Sequence, residues 1–341
     1  MLENLKELSS VIAVSGNEEN LAELIVKKLD GLCDDIKIDN IGNVIAFKKG
    51  QDSSKKVMLL SHMDEVGFVI TNILDNGLLK FSLVGGIDER ILPAKNVTIS
   101  AKGTSVNGVI GVCPLHLLGK ENLRKTLSQD ELYIDIGAKN KQDAQRYVRL
   151  GDSGVLDSEF TVFGDNRVLS RALDDRCGCA VLLELIREPM YFDTYFVFTV
   201  QEEIGCRGAV CAAEEIKSNY AIVIDSTTAC DIYGVSDEDS VCKLNGGGVV
   251  SFMDKGTIYN KDFFNLILKT AKEKNINCQT KNKVAGGNDA SAVHKSAGGV
   301  KTAAISLPCR YLHTPSCVIS LSDLIDTKNL VSAVLEKINE L

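Results

Sequence analysis

The chain has 341 residues and is 45% apolar, enough to fill one large domain or a main domain with a smaller one, so a disordered polymer is excluded. Its 46 acidic residues outnumber 38 basic ones, a net charge of −8, and no basic block interrupts the pattern, so no nucleic-acid partner is expected. Apolar runs such as Tyr195 to Val200 fall far short of the roughly 18–20 residues that span a bilayer. Met1 to Ser10 also lacks the basic-then-apolar layout of a secretory leader, so the expectation is a cytoplasmic protein with no membrane partner.

In chain order, Ser15-Gly16-Asn17-Glu18 reads as a capping box, followed at helical spacing by Leu21, Leu24, Ile25 and Leu29. Ile36 to Phe47 alternates and breaks at Asp39-Asn40-Ile41-Gly42-Asn43, which is hairpin chemistry. Val57–Leu60, Tyr195–Val200, Tyr220–Ile224 and Thr302–Leu307 are continuous apolar runs, the mark of strands buried on both faces of a sheet. Helical patterns over Asp175–Arg187, Asp262–Lys274 and Asp323–Leu341 alternate with or follow them, which points to α/β architecture. From Gly67 to Phe160 the texture changes to short alternating stretches punctuated by Asn76-Gly77, Gly85-Gly86 and Asn107-Gly108, with little helical pattern before Gln142. This reads as a small inserted β-rich domain, residues 67–160, between the two parts, 1–66 and 161–341, of the main domain. The eleven cysteines are odd in number, scattered from Cys33 to Cys317 and without a C-x-x-C, so they are expected to be buried structural thiols rather than a disulfide framework.

The chemistry lies where the apolar strands end. After Leu60 comes Ser61-His62-Met63-Asp64-Glu65; after Val200, Gln201-Glu202-Glu203; after Ile224, Asp225; after Leu307 and Pro308, Arg310-Tyr311-Leu312-His313. Asp174-Asp175 heads a helix. In an open α/β sheet the carboxyl edge is where ligands bind. Singly, each residue has a structural explanation: a hydrogen-bonded histidine, a helix cap, an exposed glutamate pair. Together, two imidazoles and several carboxylates at one sheet edge suit divalent cations that accept nitrogen and oxygen ligands. The other two histidines, His116 and His294, read as structural.

The strings SHMDEVGF (61–68), SRALDDRCGCAV (170–181), VFTVQEEIGCRGA (197–209), AIVIDSTTACD (221–231), GGNDASAVH (286–294) and ISLPCRYLHTP (305–315) resemble, in order, those of the dodecameric tetrahedral aminopeptidases. That family includes glutamyl and deblocking aminopeptidases, and some relatives carry an endoglucanase label. The resemblance implies a three-layer α/β/α zinc-exopeptidase-like catalytic domain, with residues 67–160 as the lid and dimerisation domain. It implies two divalent ions per subunit, Zn2+ or Co2+ or else Mn2+: His62, Asp174 and Asp225 would hold one, and Asp174, Glu203 and His313 the other. Glu202 matches the general base, and Asp64 the carboxylate that orients His62. Substrates would be peptides with a free N-terminus, and the assembly a homo-oligomer, a dodecamer. Cys177 and Cys206 stand where bulkier aliphatic residues are usual, and Ser15-Gly16-Asn17 lacks a commonly preceding proline.

Two other functions are open to the same residues. Glycoside hydrolysis uses paired carboxylates, but adjacent Glu202 and Glu203 do not by themselves flank a sugar, and histidine ligands have no part in it. A non-catalytic peptide-binding shell would show itself by a missing ligand, and all five are present.

Overall fold

In the computed structural model, which describes residues 1–101, 103–117 and 126–341, the four continuous apolar segments lie side by side at the centre of one sheet. Helices α1 (Leu2–Ser10) and α2 (Glu19–Leu29) lead into the hairpin β1 (Asp35–Ile38) and β2 (Val44–Lys48), then β3 (Asp52–His62). Six strands follow, β4 (Gly67–Ile73), β5 (Leu79–Val84), β6 (Asn96–Ala101), β7 (Thr104–Gly111), β8 (Tyr133–Asp135) and β9 (Ser153–Leu156), with α3 (Lys141–Tyr147) among them. After β10 (Thr161–Phe163) and β11 (Arg167–Ser170) come α4 (Leu173–Leu185), β12 (Phe192–Thr199), α5 (Arg207–Ile216), β13 (Tyr220–Thr228) and β14 (Gly248–Val250). The chain closes with α6 (Lys261–Lys274), β15 (Cys278–Thr280), α7 (Ala290–Val293), β16 (Lys301–Cys309), β17 (Cys317–Ser320) and α8 (Leu321–Glu336).

The main sheet runs β1-β2-β12-β3-β13-β16-β14-β15, with β12, β3, β13 and β16 mutually parallel. Successive residues of a strand point to opposite faces, and here both faces are dry. Val57, Leu59, Phe196, Phe198, Ile222, Ile224 and Ile305 pack under α1, α2, α4, α6 and α8, whereas Met58, Leu60, Val197, Ala221, Val223 and Ala304 pack under α5 and α7. That is the three-layer α/β/α arrangement, and it explains why these strands read as unbroken apolar runs. The strands of 67–156 close separately into a barrel, β4-β5-β8-β7-β6-β9, around their own core of Phe68, Ile70, Leu79, Phe81, Val97, Ile99 and Ile134.

Two sequence expectations fail. Ser15 is not a helix cap: α2 begins at Glu19 with Glu18 as its N-cap and no side-chain capping bond, and the Ser15 hydroxyl instead donates to Asp64 Oδ2 at 2.6 Å. A buried carboxylate 49 residues away outbids the local backbone, because an unmet buried charge costs more than an unmet N–H at a helix end that water can reach. All eleven cysteines are free, but only five of them are buried, and Cys113 and Cys211 are exposed rather than buried structural thiols. Among the described residues no helix is long and apolar enough to cross a membrane. Leu59 lies fully buried at the sheet centre, so Leu59→Ala should cost about 2–5 kcal/mol, read as a lower denaturant midpoint at unchanged slope.

Candidate metal centre

The parallel strands deliver their terminal side chains to a common edge. His62 ends β3, Asp225 lies in β13, Asp174 opens α4, and His313 lies beyond β16. Adjacent glutamates on a continuing strand would face opposite ways. Here β12 ends at Thr199, Gln201 takes a left-handed φ of +56°, and the turn closes through Gly205 at φ +116°, so Glu202 and Glu203 both border the cleft that His62, Asp174 and Asp225 also line. Ala172, Cys206, Tyr311 and His313 share this left-handed conformation. Such non-glycine geometry costs of order 1–3 kcal/mol each and gathers at functional sites.

Asp174 is the hub. Its Oδ1 lies 3.3 Å from His62 Nε2, and its Oδ2 lies 3.3 Å from His313 Nε2. His62 Nε2 is also 3.9 Å from Asp225 Oδ1, and His313 Nε2 is 3.3 Å from Glu203 Oε1. Two triads result, His62–Asp174–Asp225 and Asp174–Glu203–His313, in each of which the donor atoms lie within 4.8 Å of one another. The far side of each ring is committed. His62 Nδ1 donates to the carbonyl of Asp64 at 3.1 Å, and His313 Nδ1 donates to the carbonyl of Gly86, in the barrel segment, at 3.0 Å. A carbonyl can only accept, so the proton of a neutral ring sits on Nδ1 and the Nε2 lone pair faces the carboxylates, as a metal-ligating histidine requires.

The Asp64 carboxylate stands beside the His62 ring and has a further task that the sequence did not show. The histidine bond goes to its main-chain carbonyl, with Oδ1 3.5 Å from the ring. The carboxylate oxygens take the N–H groups of Glu202 at 3.0 Å and Glu203 at 3.1 Å as well as the Ser15 hydroxyl. Asp64 thereby pins the bend that carries both glutamates. Beneath it, Asp175 accepts from Ser61 Oγ at 2.6 Å and from the Gly178 N–H at 3.0 Å. A Cβ on Gly178 would come within 2.4 Å of the Asp175 carboxylate, which is why α4 can approach β3 only with glycine there. Glu65 is bound by Arg171 and Arg176 and takes no part in the cluster.

The electrostatics fit a divalent cation. Among the described residues no lysine or arginine pairs with Asp174, Asp225, Glu202 or Glu203; the imidazoles are the ion-pair partners of Asp174, Asp225 and Glu203. Burial pushes Asp225 well above the usual carboxylate range, reinforced by Asp174 and Asp175. Burial likewise lifts Glu202 to about 8, with His62 opposing and Asp289, Glu203 and Asp174 adding to it. Burial works against protonating His313, yet Asp174 and Glu203 carry it up to about 11. Asp225, Glu202 and His313 are thus driven toward holding protons, whereas at Asp174 burial is outweighed by hydrogen bonds from His313 and His62, which hold it well below the usual carboxylate range.

The cluster opens into a cleft of about 470 Å³ whose walls include Lys255, Lys281, Asn288 and Ser291. All seven residues singled out from the sequence, His62, Asp64, Asp174, Glu202, Glu203, Asp225 and His313, meet here. His294 lies apart, its Nδ1 on the Ala290 carbonyl, and His116 is exposed. Sequence reasoning missed the anchoring role of Ser15, for which no local signal exists, and the Gly86 carbonyl, which any residue could supply.

A three-layer sheet with paired imidazole–carboxylate triads at its carboxyl edge is the arrangement of a metal-dependent hydrolase, and the comparisons narrow this to peptide bonds. The M42 glutamyl aminopeptidase family matches residues 42–330, and the chain belongs to that family. It is 38% identical over 340 residues to a putative aminopeptidase of Acetivibrio thermocellus, covering 99% of this chain and 98% of the relative. Among solved structures, an aminopeptidase from the archaeon Desulfurococcus kamchatkensis superposes with a TM-score of 0.95 at 35% identity, over 98% of this chain and 94% of that one. The Pyrococcus horikoshii TET1 peptidase, which can assemble into a tetrahedron or a large octahedral shell, gives 0.88 at 34% identity over 98% of each chain.

If Asp64 pins the glutamate bend, Asp64→Asn should lower the stability of the metal-free protein by about 1–3 kcal/mol, since one acceptor is lost among buried donors. Urea unfolding checks this; an unchanged midpoint would remove Asp64 from that role.

Proposed function

We propose that the chain removes N-terminal residues from peptides using two divalent ions, Zn2+ or Co2+ or else Mn2+, held by His62, Asp174 and Asp225 and by Asp174, Glu203 and His313. The observation that carries this is the division of Asp174, whose two oxygens each lie 3.3 Å from a different histidine. Two ions so held supply Lewis acidity toward the scissile carbonyl and an activated water near neutral pH.

Glu202 is the general base. It borders the cleft without belonging to either triad, so its carboxylate stays free to take a proton when the ions are held. It accepts a proton from the attacking water and returns it to the leaving amine. The surplus carboxylates of the cleft suit the α-ammonium group of a free N-terminus, the anchor an exopeptidase needs. Residues 1–66 and 161–341 form the catalytic domain, and 67–160 the lid and dimerisation domain. The Gly86 carbonyl on His313 makes the barrel part of the site's support. A large homo-oligomer, a dodecamer, and a cytoplasmic location complete the reading; eleven unpaired cysteines suit a reducing compartment.

The deciding experiment compares two neighbours. Glu202→Gln should keep metal content and assembly while turnover falls by roughly 10²–10⁴, as when a general base is lost. Glu203→Gln should lower metal occupancy and recover partly with added metal. Normal turnover in Glu202→Gln with full metal would overturn the base. Chelation should abolish cleavage of aminoacyl chromogenic substrates, and N-acetylated peptides should resist; internal cleavage of a blocked peptide at a comparable rate would mark an endopeptidase instead. Light scattering should report a large oligomer, and a stable, active monomer would overturn that part.

A further inference from the structure

A third group of donor atoms lies beside the cleft, outside both triads. Carboxylate oxygens of Glu202 and Asp289 and the Cys206 sulfur are within 4.8 Å of one another. Asp289 is only 1% exposed. Its Oδ2 accepts from Thr199 Oγ1 at 2.6 Å, whereas its Oδ1 is buried without an N–H or O–H donor. The Cys206 thiol donates to Glu202 Oε1 at 3.5 Å, and Ser291 Oγ lies 3.6 Å from the sulfur. Glu202 and Cys206 are held at this spacing by the turn itself, in which the Cys206 N–H donates to the Glu202 carbonyl at 2.9 Å. Asp289 is oriented by Thr199, the last residue of β12.

We propose that Glu202, Cys206 and Asp289 form a third cation site, selective for a thiophilic divalent ion such as Zn2+ or Cd2+, whose filling withdraws Glu202 from catalysis. The donor set carries the selectivity. One sulfur and two carboxylates favour zinc and cadmium over magnesium or manganese, which prefer oxygen alone. With metal–sulfur and metal–oxygen bonds of about 2.3 and 2.1 Å, tetrahedral donors sit about 3.6 Å apart, so the group needs only a modest contraction, and a water completes the shell. Binding forms a metal–sulfur bond and releases the thiol proton to solvent. The buried, undonated oxygen of Asp289 separates this from a lone thiol: it is desolvated already and gains its first strong partner. The inhibitory consequence rests on Glu202 as the base, whereas the site itself does not.

The test uses the 341-residue chain loaded with Zn2+ and titrated with Cd2+ by equilibrium dialysis, recording retained zinc, the ultraviolet thiolate-to-cadmium absorption and peptidase rate together. The expected result is one further equivalent of Cd2+ per chain with no loss of zinc, a thiolate band, and a rate that falls in step. Mg2+ should give none of these. Cys206→Ser should lose both the band and the added equivalent, and Cys206→Ala should agree with it. Asp289→Asn, which keeps the thiol, should bind at least about tenfold more weakly, the lower end of what a supporting group contributes at metal sites. Equal uptake by the wild type and Cys206→Ser, uptake only in exchange for zinc, or undiminished affinity in Asp289→Asn would overturn the site. Cadmium bound through Cys206 with turnover intact would overturn the inhibition and Glu202's role as base, while leaving the coordination standing.

Discussion

Everything at the carboxyl edge of the sheet follows from a surplus of negative charge taken out of water. Asp174, Asp175 and Asp225 are buried, Glu202 and Glu203 nearly so, and among the described residues the basic groups paired with this set are two imidazoles. An isolated buried carboxylate costs far more than folding can spare. The chain meets that cost locally where it can: Asp175 through Ser61 and Gly178, and Glu65 through two arginines. It leaves the remainder without a lysine or arginine partner among the described residues, the charge that the proposed cations would offset.

The scaffold turns this electrostatic demand into geometry through backbone groups rather than further charges. Asp64 accepts the N–H groups of both Glu202 and Glu203, which converts the end of a strand into a bend with both carboxylates directed to one cleft. Main-chain carbonyls of Asp64 and Gly86 fix the two histidines from behind. Carbonyls are well suited to this, since they set the tautomer without adding charge to a site that already has too much of one sign. The Gly86 contact also makes the barrel more than an appended domain, because the orientation of one imidazole depends on it.

The same surplus leaves the cleft edge with more than one kind of donor group. The triads are built from nitrogen and oxygen, but the bend that positions Glu202 also brings the Cys206 thiol beside it. The thiol adds a soft donor within reach of the Glu202 carboxylate.

Much of this was legible in the linear chain. Continuous apolar runs in Val57–Leu60, Tyr195–Val200, Tyr220–Ile224 and Thr302–Leu307 announce strands covered on both faces, and the polar residues that follow each run belong to the ligand-binding edge because strand direction is shared in a parallel sheet. The bend after Val200 could also be anticipated, since neighbours on a strand cannot otherwise face the same way. What periodicity could not convey is pairing across distance. Ser15 reads as a helix cap until Asp64, 49 residues on, claims its hydroxyl. The Gly86 carbonyl that orients His313 lies 227 residues from it. The approach of Asp289 to Cys206 and Glu202 joins a turn and a loop related by no repeat. Local patterns report which residues share a face of one element, and they determined the elements, their layers and the kinds of ligand. Which oxygen meets which ring depends on how separate elements pack, and only the tertiary structure decides that.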